Sequence, residues 1–286
     1  MEFQLVLKEF WRELKKAPTT AWVGLGIIAF YTFLAVFAQF LTPYGESQVV
    51  GAEFEEWAWF GEGFFLGTDN LGRDMATRLI YGARNTIGIA FLTTVLTFMM
   101  GSVTGFMAAT LGGWVDQALS RVVDILMAIP SLIFALLILT VTGTSIPALI
   151  MVIAVLDSTR VYRLARAVSM NVVVMDYVEV AKLRGEGLWW VMNREVLPNA
   201  TAPLVAEFGL RFCFVFLFIS SLSFLGLGIQ PPTADWGSMV RDNATLITFG
   251  DVTPLLPAGA IAMLTVGVNF VVDWFLQLTS GLKDEH

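Results

Sequence analysis

The sequence predicts an all-α membrane protein of six transmembrane helices, with an N-terminal interfacial helix and a helical cytoplasmic loop. Three observations carry that expectation. First, 56% of the 286 residues are hydrophobic and only 14% charged, with mean hydropathy +0.72, whereas a soluble domain carries about a quarter charged residues. Second, uncharged runs recur that reach the roughly 20 residues a helix needs to cross a bilayer. Third, the charges are segregated along the chain, so the net value of −7 says less than their placement.

Residues 1–17 repeat apolar positions at helical spacing (Phe3, Leu7, Phe10, Leu14), with Lys8, Arg12, Lys15 and Lys16 between them. That pattern suits an amphipathic helix in the cytoplasmic interface. The first span, within 18–42, is the run Trp22 to Leu41, closed by Thr42-Pro43. It is longer than a signal-peptide core and lacks a small-x-small site, so a retained helix is expected. An acidic external loop follows over 43–84. A core of five helices is expected over 85–280, with a cytoplasmic loop at 171–199 and a tail at 281–286.

Within that core, Asn85 to Val115 is uncharged and gives the second span. The next uncharged run, Ile125 to Leu156, is too long for one crossing, and Thr142-Gly143-Thr144-Ser145 before Ile146-Pro147 reads as a turn. The expectation is a third span over 122–142 and a fourth over 146–163. Phe212 to Ile229, extended back through Glu207 and Arg211, gives the fifth, and Val252 to Val272, running on to Thr279, the sixth. Glu207 and Arg211, four apart on one helix, are expected to pair. Asp157 and Asp273 are expected near hydrated cytoplasmic ends. Ser220, Ser221 and Ser223 either line a pathway or hydrogen-bond between helices.

With both termini in the cytoplasm, thirteen of the 17 Lys and Arg residues fall inside, and Arg73, Arg78, Arg84 and Arg241 outside. This is the positive-inside bias. The single cysteine, Cys213, cannot form an intrachain disulfide, and the single histidine is the last residue, His286. No cluster has metal-ligand spacing, so no metal site is expected. A chain without an internal histidine is poorly equipped as an intramembrane enzyme. The internal repeats of many secondary transporters are not evident either.

The cytoplasmic loop is the informative stretch. Asp176 to Arg184 suits a short helix, and Gly185 and Gly187 allow a reversal because glycine tolerates positive φ. Leu188 to Leu197 suits a second helix, which Pro198 ends or re-aims. Trp189, Trp190, Val191 and Met192 are costly to leave in water, so they pack under the bundle or against a partner. Glu179-x-Ala181-x-x-x-Gly185, followed by Leu197-Pro198, resembles the "EAA" motif of ABC importer permeases, with Val180 in place of the usual second alanine.

Two further stretches narrow the resemblance. Leu66-Gly-Thr-Asp69-Asn-Leu-Gly-Arg73-Asp74, continuing to Arg84, resembles the segment before the second span of dipeptide, oligopeptide and nickel permeases. Phe224 to Met239, with Trp236-Gly237, resembles that family's loop after the fifth span. Together they point to the C-type permease of the pair.

The resemblance implies the fold of a type I ABC importer permease, in a bacterial or archaeal cytoplasmic membrane. It also implies a second homologous permease, two ATPase subunits and an external solute-binding protein. Tyr177, Glu179, Ala181, Gly185, Leu188, Trp189 and Pro198 become candidates for coupling to the ATPases. Asp69, Arg73, Asp74, Trp236 and Arg241 become candidates for packing of the external loops, in which Arg73 and Asp74 could pair, or for contact with the binding protein. The chain has no Gly-x-x-x-x-Gly-Lys-Ser/Thr run, so ATP and Mg are expected on partner subunits and no cofactor or nucleic acid on this one. Permeases of this kind pass di- and oligopeptides, nickel complexes or oligosaccharides.

Overall fold

The computed structural model describes residues 17–58 and 63–280. The interfacial helix expected over 1–17, but for its last residue, and the tail 281–286 lie outside the described residues. Among the described residues the regular structure is helical, apart from two isolated bridges in the 43–84 loop.

Helix α1, Thr19–Leu41, leaves Pro18 and stops before Pro43. Helix α2, Met75–Leu111, begins ten residues before the expected Asn85, because the Asp74 side chain accepts from the Thr77 amide at 2.7 Å and caps it. It ends at Gly112, which has φ +61°.

The expected third span is broken. Helix α3, Gly113–Ala128, and helix α4, Ser131–Thr142, meet at an angle of 89°. Pro130 is the cause: it has no amide proton to give the ladder and forces Ile129 into extended backbone, φ −92° and ψ 132°. Helix α5, Ile146–Val173, starts on a Ser145 cap with Pro147 in its first turn and runs ten residues past the expected end at 163. Ion pairs to α3 hold that extension: Arg163 to Asp124 at 2.8 Å, and Arg166 to Asp116.

Two short elements follow, α6, Asp176–Leu183, and α7, Leu188–Val191. A π turn, Met192–Val196, joins α7 to helix α8, Leu197–Phe224. Of the two expectations for Pro198, that it ends the helix or re-aims the chain, the first does not hold: Pro198 sits in the first turn of α8. The π turn widens the backbone just where proline removes a donor, and the apolar segment Leu188–Phe224 continues as one rod. Helix α9, Trp236–Asn243, and a 3₁₀ turn, Ala244–Phe249, lead to helix α10, Leu255–Ser280.

Among the described residues, four segments are long and apolar enough to cross a membrane: α1, α2, the α7–α8 rod and α10. The bent α3–α4 pair passes only as two halves together. Helix α5 is long enough at 28 residues. Its Asp157, Arg160, Arg163 and Arg166 must therefore turn toward protein or water at whatever depth they lie.

The main core joins α1, α2, α5, α8, α9 and α10 around Tyr31, Phe216, Trp236 and Leu264. Helices α2 and α5 meet along a close seam. A Cβ on Gly101 would lie 2.6 Å from Val161 Cβ and 2.7 Å from the Ser158 carbonyl oxygen, and one on Gly105 would lie 2.8 Å from Ala165 Cβ. The Gly-x-x-x-Gly spacing lets two backbones touch where lipid supplies no hydrophobic drive between helices. Gly105→Val should therefore lower the melting temperature of the purified protein, at a cost of about 1–3 kcal/mol. Gly88→Ala, where an added Cβ meets nothing within 4 Å, should leave it unchanged.

Candidate functional site

Helices α6 and α7 form a hairpin beyond the end of α5. Asp176 and Glu179 sit in the first turn of α6 and Lys182 in its last, matching the helix dipole. The reversal is made at Gly185, φ +84°, whose amide donates to the Lys182 carbonyl at 3.0 Å while the Glu186 amide reaches Ala181 at 3.2 Å. A Cβ on Gly185 would meet nothing within 4 Å, so φ rather than space demands glycine here. Gly187 does not share the reversal: at φ −72° and ψ 159° it is the extended residue before α7.

The hairpin has two faces. Val178 and Ala181 are fully buried, Val178 in a cluster with Phe106, Val191, Met192 and Val196. Val191 and Met192 thus pack under the bundle, while Trp190 is half-buried with Arg184 over its ring. The opposite face is bare and apolar: Leu183 is 81% exposed and Trp189 64%, with Tyr177 and Val180 beside them. Of the seven candidates, Ala181 braces the hairpin, Leu188 packs partly against the same cluster, and Gly185 shapes the turn. Tyr177, Glu179 and Trp189 face outward, and Pro198 is exposed at the start of α8. Leu183 and Val180 were not singled out in the sequence, because helical periodicity does not say which apolar face the fold will cover.

The external candidates are mostly interior. Asp69, Arg73, Asp74 and Trp236 are all buried. Arg73 pairs with Asp69, at 2.7 Å, rather than with Asp74, which is the α2 cap. Arg78 joins the same carboxylate at 3.1 Å. The Arg78 guanidinium also donates to the carbonyls of Glu46 and Pro232, tying the 43–84 loop to the loop before α9. Trp236 donates its indole N–H to the Leu79 carbonyl at 2.9 Å and meets Tyr31 and Phe216 edge-on. Its neighbour Asp235 caps α9 and accepts from Thr86, and burial pushes its carboxyl above the usual range. Arg241, partly exposed, pairs with Asp242 and donates to the Ser223 carbonyl.

Of the three serines, Ser220 and Ser221 bond back to their own helix, and Ser223 accepts from the Ile229 amide. Ser220 and Ser221 border an apolar recess of about 390 Å³ between α8, α9 and α10. The Glu207–Arg211 pair forms as expected, at 2.7 Å. Asp157 departs from expectation: it is 3% exposed and 3.4 Å from Arg211, not at a hydrated end, because α5 runs on past it for sixteen residues. Asp273 is exposed. Cys213 is free and buried, and no group of metal-ligating side chains occurs among the described residues.

Residues 101–280 match the family described as binding-protein-dependent transport system inner membrane component, and residues 6–53 match the N-terminal TM domain of oligopeptide transport permease C. The chain belongs to this permease family. It is 32% identical over 283 residues to a dipeptide transport system permease protein of Alkalihalophilus pseudofirmus, covering 97% of this chain and 88% of that one. It is 33% identical to a di/tripeptide transport system permease protein of Pseudomonas aeruginosa, covering 97% and 90%. A peptide transport system permease protein of Escherichia coli is 34% identical, covering 93% and 91%. Among solved structures, a chain of the MetNI methionine ABC transporter superposes with a TM-score of 0.57 at 17% identity, over 73% of this chain and 98% of that one. A chain of an amino acid ABC transporter gives 0.51 at 18%, over 71% and 94%. The fold is thus that of an ABC importer permease, and the protein is a multi-pass inner-membrane protein.

Asp69→Ala should strand Arg73 and Arg78 in the interior, a loss of about 3–5 kcal/mol for a broken buried pair. The variant should melt well below the wild type and be cut in the 43–84 loop by protease added from outside. Asp74→Ala removes only the cap and should lose about 1 kcal/mol.

Proposed function

We propose that this chain is one permease of an ATP-driven, binding-protein-dependent importer that carries di- or oligopeptides across the cytoplasmic membrane by alternating access. The observation that carries the reading is the hairpin. One face is locked to the bundle by Val178 and Ala181, and the other presents Tyr177, Val180, Leu183 and Trp189 bare beside Asp176, Glu179 and Lys182. Large apolar side chains on a rigid element outside the bundle mark a protein-binding surface. Relatives named for peptide transport support the solute class.

In this reading the hairpin seats in an ATPase subunit. ATP and Mg are bound there, and a second homologous permease completes the pore. An external solute-binding protein delivers peptide to the opposite face. Closure of two ATPases on ATP moves the hairpins together. The force passes through Val178 and Ala181 into the cluster around Met192, and so into the α7–α8 rod and α5, tilting them as bodies. Both termini lie in the cytoplasm, the side on which most Lys and Arg fall.

Co-purification of the tagged chain from native membrane, against Gly185→Pro combined with Trp189→Asp, tests this. ATPase subunits and a second permease should accompany the wild type, and the ATPases should be lost from the variant while the second permease stays. Wild type that never brings down an ATPase would contradict the reading.

A further inference from the structure

Three features meet at one depth in the bundle. The first is a buried ionic group. Asp157 Oδ1 lies 3.4 Å from Arg211 and 4.0 Å from Arg160, and Arg211 pairs with Glu207 at 2.7 Å. Phe214 lies between the two guanidiniums, 4.3 Å from Arg160 and 5.5 Å from Arg211. The second is Asp157 Oδ2, a buried acceptor with no hydrogen-bond partner among the described residues. The third is the break at Pro130. Helix α4 starts there with no side-chain cap, so its first amides have no partner within the helix. Ser131, Asp157, Arg160, Phe214 and Phe218 line one small recess.

That depth is close to mid-membrane. At about 1.5 Å per residue, Asp157 lies about 17 Å along α5 from Ile146, and Arg211 about 20 Å from either end of α8. Half the hydrocarbon core is about 15 Å. Arg160 there is nevertheless 38% exposed and Glu207 23%. Charged groups at such depth face protein or a water-filled cavity, not lipid, and so does backbone freed by a broken helix. The charges on α5 and α8 and the free amides of α4 therefore face protein or water rather than lipid.

We infer that this recess is a station on the translocation pathway that receives the C-terminal residue of a peptide: its carboxylate meets Arg160 and the first amides of α4, and its backbone N–H meets Asp157 Oδ2. The inference rests on the importer reading above and names the part of the chain that handles the solute. Arg160 is the available cation. Arg211 is held between two carboxylates, whereas Arg160 has only the 4.0 Å approach to Asp157 and the ring of Phe214. The start of α4 adds the positive end of a helix dipole aimed at the same recess. Asp157 opposes a second carboxylate nearby, which keeps the site weak enough to release what enters. The recess has about 20 Å³ in this conformation, room for about one water. The peptide end enters as α4 and α5 part.

The test uses the chain assembled with its partner permease, ATPases and binding protein in liposomes. The chain's one native cysteine is buried, so Cys213→Ala with Ser131→Cys gives this chain a single thiol that lines the recess and leaves Arg160 in place. A charged methanethiosulfonate should modify that thiol from water. Excess dialanine should slow the reaction, and dialanine amide, which lacks the carboxylate, should not. A thiol that stays unmodified, or that dialanine leaves unprotected, overturns the inference.

Arg160→Gln tests the same point without a probe. It should lower peptide uptake per ATP hydrolysed about tenfold, the size of one charge-assisted contact. Arg160→Lys should restore much of the uptake. Unchanged uptake in the glutamine variant overturns the station. Wild type whose ATP hydrolysis does not respond to the loaded binding protein instead overturns the importer reading, and the station with it.

Discussion

The approach of α2 to α5 at Gly101 and Gly105 is the contact on which the rest of the structure depends. The nearest atoms across that seam are backbone and Cβ, not the ends of flexible side chains, so the two helices move as one body. Helix α5 then carries on a single rigid axis the buried Asp157, the arginines that hold α3, and the root of the α6–α7 hairpin. Without the seam, α5 would have to hold four ionisable groups in place by side-chain packing alone. Lipid gives helices no hydrophobic reason to associate, so close backbone contact supplies what a soluble core obtains from water.

The same body explains the asymmetry between the two ends of the molecule. At one end, Asp69, Arg73, Arg78 and Glu46 stitch the 43–84 loop to the segment before α9, and Trp236 sits fully buried beneath them. Among the described residues at that end, Val49, Leu71, Ile247, Phe249 and Val252 are exposed apolar side chains. At the other end the hairpin is anchored through small and β-branched residues, Ala181 and Val178, and leaves its largest apolar groups outside. An anchor that buries the small residues and exposes the large ones is the observation behind the proposed docking of an ATPase.

Much of this was legible in the sequence, and the failures have physical causes. The turn at Gly185 and the split at Gly143 were readable because each needs a residue that tolerates positive φ, and both have it. The break at Pro130 was equally written in the chain, but an uninterrupted apolar run hid it: hydropathy averages over a proline that backbone geometry does not forgive. At Pro198 the sequence left two readings open, an end or a re-aiming of the chain, and a π turn lets the helix run on through it. The depth of Asp157 was missed because charges were taken to mark a helix end. Burial of Asp69, Arg73 and Trp236 was not readable, since pairing across distant loops leaves no trace in local spacing. The exposed face of α6 was not readable either, because which side is covered depends on α7 folding back against it.

The account turns on the outer face of the hairpin being covered by an ATPase. The most direct measurement places a photo-crosslinking amino acid at Leu183, on that face, and separately at Val178, on the buried one, and irradiates cells making each variant. Leu183 should capture an ATPase subunit, and Val178 should capture nothing outside this chain. Capture of lipid alone at Leu183, or equal capture of the ATPase from both positions, would contradict it.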